Sequence, residues 1–407
     1  MAATIAGVVA LCALALYVRH EVPRSNWLFS GHYALGFLDL HSRFKDVHKV
    51  LRGVNVYSRA DHHQYFTYPP AALLVLWPLS WARFQVDVLV WTLLSEFALA
   101  GVIALSWRSW RRDDPWMIAA GSLLGALVSF VVFPVLSIHL ALGQLGLFIA
   151  LALAVDYLAL RGRAKGVLAG IATAIKIYPV VFIIAWALRR EWRAVATAIA
   201  SAGATTLVAF ALWPSLTRTF ISRQVLSGRE LSHFLNNAHY LASSSSPFTI
   251  FFRWPFHGGA AAHVVGWAAS IVAVGVGLWA SERLWRLGRS TSSFVMVMGA
   301  SVLAGPVTWD HYYVFAPLLV FVVLENRDLR VLSVTAAGSM VLYAVPWQLA
   351  RNESLSENSL SARAVFILLA RNALSLATIA TSLAALWSTR ASRSAPENLS
   401  EPSNPRA

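Results

Sequence analysis

Long runs of apolar residues are the feature that most constrains what this chain can fold into. Apolar runs of about 20 residues cross the hydrocarbon core of a bilayer. Charged residues make up only 13% of the sequence and hydrophobic residues 57%, whereas a soluble domain carries about 25% charged residues. Because the runs are continuous rather than alternating, and backbone inside a bilayer must satisfy its own hydrogen bonds, the spans are predicted to be helices. The sequence therefore predicts an all-α integral membrane protein.

The apolar runs divide the chain into twelve predicted transmembrane helices. They are expected at 2–18, 84–107, 116–135, 143–160, 166–177, 179–189, 194–213, 259–280, 292–305, 312–325, 329–347 and 363–388. Residues 1–388 then form a single polytopic membrane domain, in which 19–83, 214–258 and 348–362 are the longer polar stretches. The tail 389–407 is rich in Ser, Pro, Asn and Arg and is expected to be disordered and cytoplasmic.

Basic residues set the expected orientation of these spans. The short loops 108–112, 161–165 and 189–193 are basic, and twelve spans place them all on the side of the N-terminus. Basic loops favour the cytoplasm. The interpretation is a multi-pass protein of the plasma (inner) membrane with both termini cytoplasmic and loops 19–83 and 214–258 outside. The short apolar segment 71–79 is bounded by prolines and is interpreted as re-entrant or interfacial.

The net charge of +14 has two possible explanations. Nucleic-acid binding is one, but topology charges and contacts with lipid headgroups explain the distribution better. The outer stretch 19–68 is nevertheless rich in cations, Arg43 and Arg52 among them, and in histidines, including His41. One hypothesis is a solvated amphipathic helix against anionic lipid. The other is a site for a phosphorylated, lipid-borne substrate, because phosphate recognition needs cationic hydrogen-bond donors.

Asp39 lies on an apolar patch just after the first predicted span. A carboxylate at the membrane interface is costly unless it is solvated or paired. A helix cap or an ion pair with Arg43, four residues further on, is one explanation. The functional explanation is a general base that removes the proton of an attacking hydroxyl.

Lys176 lies near the end of the short apolar run 166–177, and Pro179 blocks continuation of that helix. An intramembrane lysine is by default a functional-site hypothesis. Snorkelling toward the interface is the structural alternative. A contact with a phosphate in an outward-facing hollow explains the position better.

Asp310 and His311 lie in the predicted outer turn Trp309-Asp310-His311-Tyr312-Tyr313. Metal or acid–base chemistry, substrate contact and structural hydrogen bonding all remain open for this pair. Elsewhere the sequence offers no set of metal ligands with the usual spacing and no nucleotide-binding motif. A lipid-phosphate-linked sugar therefore fits better than a cytosolic nucleotide sugar, and no metal or other cofactor is expected.

Four segments together resemble glycosyltransferase family 87, within the GT-C superfamily. They are Leu38-Asp39-Leu40-His41 with residues 51–57 and 66–70, then Leu142-Gly143-Gln144-Leu145, then residues 169–179, and finally residues 305–312. The resemblance runs over about residues 36–315 and depends on the order and spacing of the segments. It implies a GT-C fold, a catalytic role for Asp39, a phosphate-facing role for Lys176, and a place for Tyr68 and His311 in the cavity.

The resemblance extends to substrates. Members use polyprenyl-phosphate mannose, or in some cases polyprenyl-phosphate arabinose, to extend envelope glycolipids. Gln144, in the second segment, is assigned to substrate binding together with His41 and Asp310. Asn236 receives the same assignment, because residues 236–246 loosely match an asparagine-serine segment that is common in the family.

The resulting prediction is an inverting mannosyltransferase of the outer membrane face. Asp39 would deprotonate a glycolipid acceptor, and Lys176, with Arg43 or Arg52, would stabilise the departing polyprenyl phosphate. The expected partners are this donor, the acceptor and the bilayer, and no nucleic acid. Three alternatives remain: an arabinofuranosyltransferase, a transporter or flippase of anionic lipids, and a non-catalytic scaffold. No internal repeat of the kind found in transporters is visible in the two halves of the chain.

Overall fold

The computed structural model describes residues 5–10, 37–57, 66–226, 244–253, 259–344, 369 and 372–394. Within these ranges the chain forms helices and connecting turns, and no strand. Residues 5–10 are helical. The later α-helices are α1 (Leu38–Leu51), α2 (Ala72–Leu76), α3 (Phe84–Trp110), α4 (Pro115–Val132), α5 (Pro134–Leu142), α6 (Gly146–Ala154), α7 (Val167–Ile175), α8 (Val180–Leu188), α9 (Trp192–Leu212), α10 (Pro214–Phe220), α11 (Pro247–Arg253), α12 (Gly259–Arg286), α13 (Ser290–Leu303), α14 (Leu319–Glu325), α15 (Arg330–Ala344) and α16 (Ala373–Ser394).

Four of these helices, α3, α4, α9 and α12, are long and apolar enough to cross a bilayer by themselves. A fifth span results if α5 and the segment Gly146–Ala159, which meet at an angle of 114°, are one broken helix. Helix α13, Ala316–Glu325 and α15 are apolar but shorter. The protein is therefore a multi-pass membrane protein with helical spans. The count of twelve stays a prediction, and of the first predicted span, 2–18, only residues 5–10 are described.

Large apolar side chains on the outside of the bundle mark its lipid-facing surface. Val264 and Ile271 on α12 are each 69% exposed, and Leu207 on α9 is 67% exposed. In water such a surface would be a liability, but in a bilayer it is the expected exterior. Inside, a large apolar core joins most of the helices, with α12 packed along α13 and α7 along α9.

The predicted spans 166–177 and 179–189 appear as two short helices, α7 and α8, of nine residues each. At 1.5 Å per residue each covers about 13 Å, less than half of the hydrocarbon core. Between them the backbone of Lys176 is extended, and Pro179 caps the start of α8. This break lies where the proline predicted that the first helix would end.

The apolar segment 71–79 also forms helix that is too short for a span. It contains α2 and most of the 3₁₀ turn Trp77–Ser80, in agreement with a re-entrant or interfacial segment. At the other end of the chain, α16 continues to Ser394, past residue 389, where the tail was expected to begin. Residues 348–362 and 395–407 lie outside the described part of the chain.

Candidate active site

Asp39 lies in the first turn of α1, whose start is held against the end of α5. The backbone N–H of Phe37, a residue with a left-handed conformation (φ 55°), donates to the carbonyl of Ala141 over 2.8 Å. Leu40 packs so closely on Gly143 that a Cβ atom at 143 would lie 2.4 Å from the Leu40 Cβ. Gly143 has φ 73° and ends α5. Glycine permits both the conformation and the close approach, and this contact brings Asp39 beside residue 144.

Gln144 joins Asp39 to Tyr68. Its Nε2 donates a hydrogen bond to Oδ2 of Asp39, and its Oε1 accepts one from the Tyr68 hydroxyl over 3.0 Å. The three side chains come from α1, from the sharp bend between α5 and α6, and from the loop before α2. The predicted site residues Asp39, Tyr68 and Gln144 are therefore in contact.

Tyr68 is held in turn by the segment that follows α1. The Tyr57 hydroxyl donates to the Tyr68 carbonyl over 2.6 Å, and Asn55 anchors the same loop by donating to the Thr219 hydroxyl over 2.9 Å. Burial raises the pKa of Tyr68, so its hydroxyl stays protonated and serves as the donor to Gln144. Asn55 and Tyr57, which belong to the first family-like segment, thus have a structural role.

Lys176 lies against the ring of Tyr68. Its Nζ is 5.4 Å from the centroid of the Tyr68 ring, 5.7 Å from that of Tyr178 and 4.2 Å from that of Tyr312. In the described part of the chain the Lys176 ammonium forms no hydrogen bond and no ion pair. The cation and the acid thus meet at a common tyrosine without neutralising each other.

Arg43 also faces Tyr68, and it pairs with a different carboxylate from the one that the spacing suggested. Its guanidinium lies 5.1 Å from the Phe66 ring and 5.5 Å from the Tyr68 ring. It forms an ion pair with Asp46, three residues on, at 3.0 Å. The structural alternative for Asp39, an ion pair with Arg43, is therefore not what the structure shows.

Burial is the main influence on the charge of Asp39. It raises the pKa of the Asp39 carboxyl above the ordinary 3.8, while Arg43, the Gln144 hydrogen bond and Lys176 act in the opposite direction. The acid is therefore poised as a base whose affinity for a proton is higher than that of an exposed aspartate. Within the described ranges no group of three or more His, Cys, Asp and Glu side chains forms a metal site.

Two residues assigned to the site lie away from this cluster. Arg52 is exposed at the C-terminal cap of α1, about 20 Å along the helix axis from Asp39. His41 is two residues from Asp39 and so points to another face of α1, where its ring lies 4.7 Å from that of Phe84. Asn236 lies outside the described residues.

Asp310 and His311 are buried in the 3₁₀ turn Asp310–Tyr312. The His311 carbonyl accepts a hydrogen bond from Nδ1 of His139 over 3.0 Å, and Nε2 of His139 accepts one from the Leu147 N–H over 3.3 Å. This turn places the ring of Tyr312 against the Lys176 ammonium. Asp310 itself interacts electrostatically with Tyr343 of α15.

Sequence reasoning missed three residues of the site. Tyr178 and Tyr312 belong to the family-like segments, but nothing in the sequence indicated that their rings face Lys176. His139 connects the α5–α6 bend with the 310–312 turn. Its signal was present, because an ionisable residue inside an apolar run is unusual.

Comparison with known proteins places the chain in a family. The profile of Glycosyltransferase family 87 matches residues 66–306, more than half of the sequence. The protein is thus a glycosyltransferase with membrane-spanning helices. It belongs to glycosyltransferase family 87. The matched range contains Tyr68, Gln144 and Lys176, whereas Asp39 precedes it and Tyr312 follows it.

Several characterised proteins are similar to the chain. A polyprenol-phosphate-mannose-dependent alpha-(1-2)-phosphatidylinositol mannoside mannosyltransferase of Mycobacterium tuberculosis is 25% identical over 302 residues, 69% of this chain and 68% of the relative. A pentamannoside mannosyltransferase of the same donor class from Mycolicibacterium smegmatis is 26% identical over 297 residues, 70% and 68% of the two chains. Another pentamannoside enzyme, from M. tuberculosis, is 24% identical over 363 residues, 83% and 78%. No solved structure matches the chain significantly.

Proposed function

We propose that the protein transfers a mannosyl residue from a polyprenol-phosphate mannose to a phosphatidylinositol mannoside or a similar glycolipid, on the outer face of the plasma membrane. The donor and acceptor classes follow the names of its relatives. The observation that carries the proposal is the meeting of Asp39 and Lys176 at Tyr68 and Gln144. A carboxylate and a separate cation are what a sugar transfer from a phosphate leaving group requires.

In the proposed reaction Asp39 removes the proton of an acceptor hydroxyl. The hydroxyl oxygen attacks the anomeric carbon as the bond from that carbon to the phosphate oxygen breaks, and the bonding electrons leave with the polyprenyl phosphate. Lys176 stabilises the charge that grows on this oxygen, because its N–H groups are not engaged by the described side chains. A single displacement of this kind inverts the anomeric centre.

Other residues assigned to the site are proposed to contact the substrates. Arg43 provides a second cation beside Tyr68, and Asn236, Asp310, His311 and His41 stay predictions as substrate contacts. The Arg52 assignment has less support because of its place at the far end of α1. A GT-C fold with twelve spans, no required metal and an active site facing outward completes the proposal.

The test is sugar transfer by membranes that contain the protein and labelled polyprenol-phosphate mannose. Asp39→Asn removes the base, and we expect a loss of about 10²- to 10⁴-fold in kcat/KM. Lys176→Met removes the cation, and we expect a loss of about 10²- to 10³-fold. Asp328→Asn and Lys45→Met are matched controls at exposed positions and are expected to stay within about twofold of wild type.

Each alternative predicts a different outcome. Retained transfer by Asp39→Asn would remove Asp39 as the base. Transfer only from polyprenyl-phosphate arabinose would make the protein an arabinofuranosyltransferase. No transfer from either donor by the wild-type protein, combined with movement of a labelled anionic lipid between leaflets, would favour the flippase hypothesis.

A further inference from the structure

Three tyrosine rings surround the Lys176 ammonium, and they come from three separate parts of the chain. Tyr68 precedes α2, Tyr178 lies in the break between α7 and α8, and Tyr312 ends the 310–312 turn. Tyr312 is nearest to Nζ, at 4.2 Å from its ring centroid. We call these three side chains the tyrosine cage.

The cage compensates for the cost of burying a lysine at the end of a broken span. An ammonium removed from water needs a compensating partner. A carboxylate would compensate the charge, but it would also occupy the N–H donors and cancel the field at the site. The negative face of an aromatic ring attracts a cation by its quadrupole. It also spares donors for another ligand, and no side chain in the described ranges accepts a hydrogen bond from Nζ.

The turn that carries Tyr312 is built to hold its ring in place. The Tyr312 N–H donates to the Trp309 carbonyl over 3.0 Å, and the Tyr312 ring packs edge to face with those of His311 and Trp309 at 4.8 and 5.8 Å. His139 fixes the same turn to α5 through the His311 carbonyl. The position of the ring over Lys176 therefore depends on a network that reaches into α5.

We infer that Tyr312 is a positioning residue, whose ring face holds the Lys176 ammonium charged and directed at the phosphate of the lipid-linked donor. The inference deepens the proposed function and rests on the phosphate-facing role of Lys176. The part of Tyr312 assigned to this role is the ring face, whose centroid lies 4.2 Å from Nζ. The Tyr68 ring also faces Nζ, but the Tyr68 hydroxyl is needed for the hydrogen bond to Gln144.

The experiment is a double-mutant cycle in reconstituted membranes with labelled polyprenol-phosphate mannose. Tyr312→Phe keeps the ring face and is expected to stay within about twofold of wild-type kcat/KM. Tyr312→Leu is expected to lose about 30-fold, the size of a desolvated cation–π contact. In a Lys176→Met background, Tyr312→Leu is expected to change the residual rate by less than about twofold, because the cation that it positions is already gone.

Phe321→Leu is the control for lost packing. Phe321 is a buried aromatic residue of α14 whose ring contacts Trp110 and, among the described residues, none of the three rings of the cage. Its effect should therefore be the same with and without Lys176. Thermal unfolding of each purified variant shows whether the variant is folded. If Tyr312→Leu is not folded, the same double-mutant cycle is carried out with Tyr178→Leu.

The outcomes separate the inference from the function on which it rests. Equal losses from Tyr312→Leu in both backgrounds, or a loss in Tyr312→Phe as large as in Tyr312→Leu, would overturn the positioning role while leaving the transferase proposal intact. Absence of sugar transfer by the wild-type protein, or full activity of Lys176→Met, would overturn the proposed phosphate role and the inference with it.

Discussion

At the scale of single residues, the site keeps an acid and a cation close without letting them pair. Asp39 is bound by an amide, and Lys176 is surrounded by aromatic faces. Neutral partners of these kinds position a charge but do not neutralise it. Both charges therefore remain available to a substrate, which an Asp–Lys ion pair at the same place would prevent.

Gln144 should tune the pH dependence of the reaction. Its hydrogen bond is one of the influences that lower the pKa of Asp39 against the effect of burial. A general base is lost as the pH falls through its pKa, so Gln144→Leu is expected to move the acidic limb of the kcat/KM profile to higher pH. The measurement is a pH–rate profile in membranes, with Gln85→Leu at an exposed position of α3 as the control. An unchanged acidic limb would contradict an influence of the Gln144 hydrogen bond on the pKa of Asp39.

The sequence alone indicated much of this residue set. Asp39 and Lys176 were identifiable because charges in apolar surroundings are costly, and Tyr68 and Gln144 because they lie in family-like segments. The contact between Tyr312 and Lys176 was not predictable, since it joins positions far apart in the chain through a turn whose conformation depends on His139. Arg52 was assigned by composition, and only the length of α1 shows how far it lies from Asp39.

At the scale of elements, two breaks in helices place the chemical groups. The break at Lys176 was predictable from Pro179. The 114° bend between α5 and α6 was not, because residues 136–142, which form most of α5, were left between the predicted spans 116–135 and 143–160. Gly143 is left-handed at that bend, and the close contact that selects this conformation comes from Leu40, which is distant in sequence.

Gly143 should therefore be intolerant of even the smallest side chain. A Cβ there would lie 2.4 Å from the Leu40 Cβ, and the backbone has φ 73°. We expect Gly143→Ala to cost roughly 1–2 kcal/mol for the left-handed conformation alone, with a further loss from the clash. The measurement is the midpoint of thermal unfolding in detergent, together with sugar transfer.

Two further variants separate the contribution of the clash from the contribution of the left-handed conformation. Leu40→Gly removes the clashing Cβ, so adding Gly143→Ala to a Leu40→Gly background should cost only the part that is due to φ. Gly203→Ala in α9, where a Cβ meets nothing within 4 Å, should leave stability equal or higher, since alanine favours helix. A Gly143→Ala protein as stable as wild type would show that the bend does not need glycine.

At the scale of the whole molecule, the helical class was predictable from composition, but the number of complete spans was not. Apolar length identifies α3, α4, α9 and α12 with little ambiguity. It does not decide whether shorter apolar helices such as α13 and α15 are complete spans, because only the path of the chain through the bilayer distinguishes them. The orientation therefore rests on the basic loops and needs its own test.

Single cysteines provide that test. Cys12 is the only cysteine, so a Cys12→Ser background is free of thiols. Val54→Cys, after α1, is expected to react with a membrane-impermeant maleimide in intact cells, whereas Arg112→Cys, between α3 and α4, is expected to react only after the membrane is opened; both positions are exposed. The reverse pattern would place the acid of α1 on the cytoplasmic side and invert the proposed topology.

The position of Tyr312 near the far end of the described helices has a consequence for biogenesis. Asp39 leaves the ribosome early, Lys176 follows after several more helices, and the nearest ring to its ammonium emerges only once the chain has reached residue 312. A nascent chain released before that point would carry the acid and the ammonium but lack the nearest ring of the site. Catalytic competence is therefore expected to arise late in membrane insertion, when the last third of the polypeptide joins helices that are already in the bilayer.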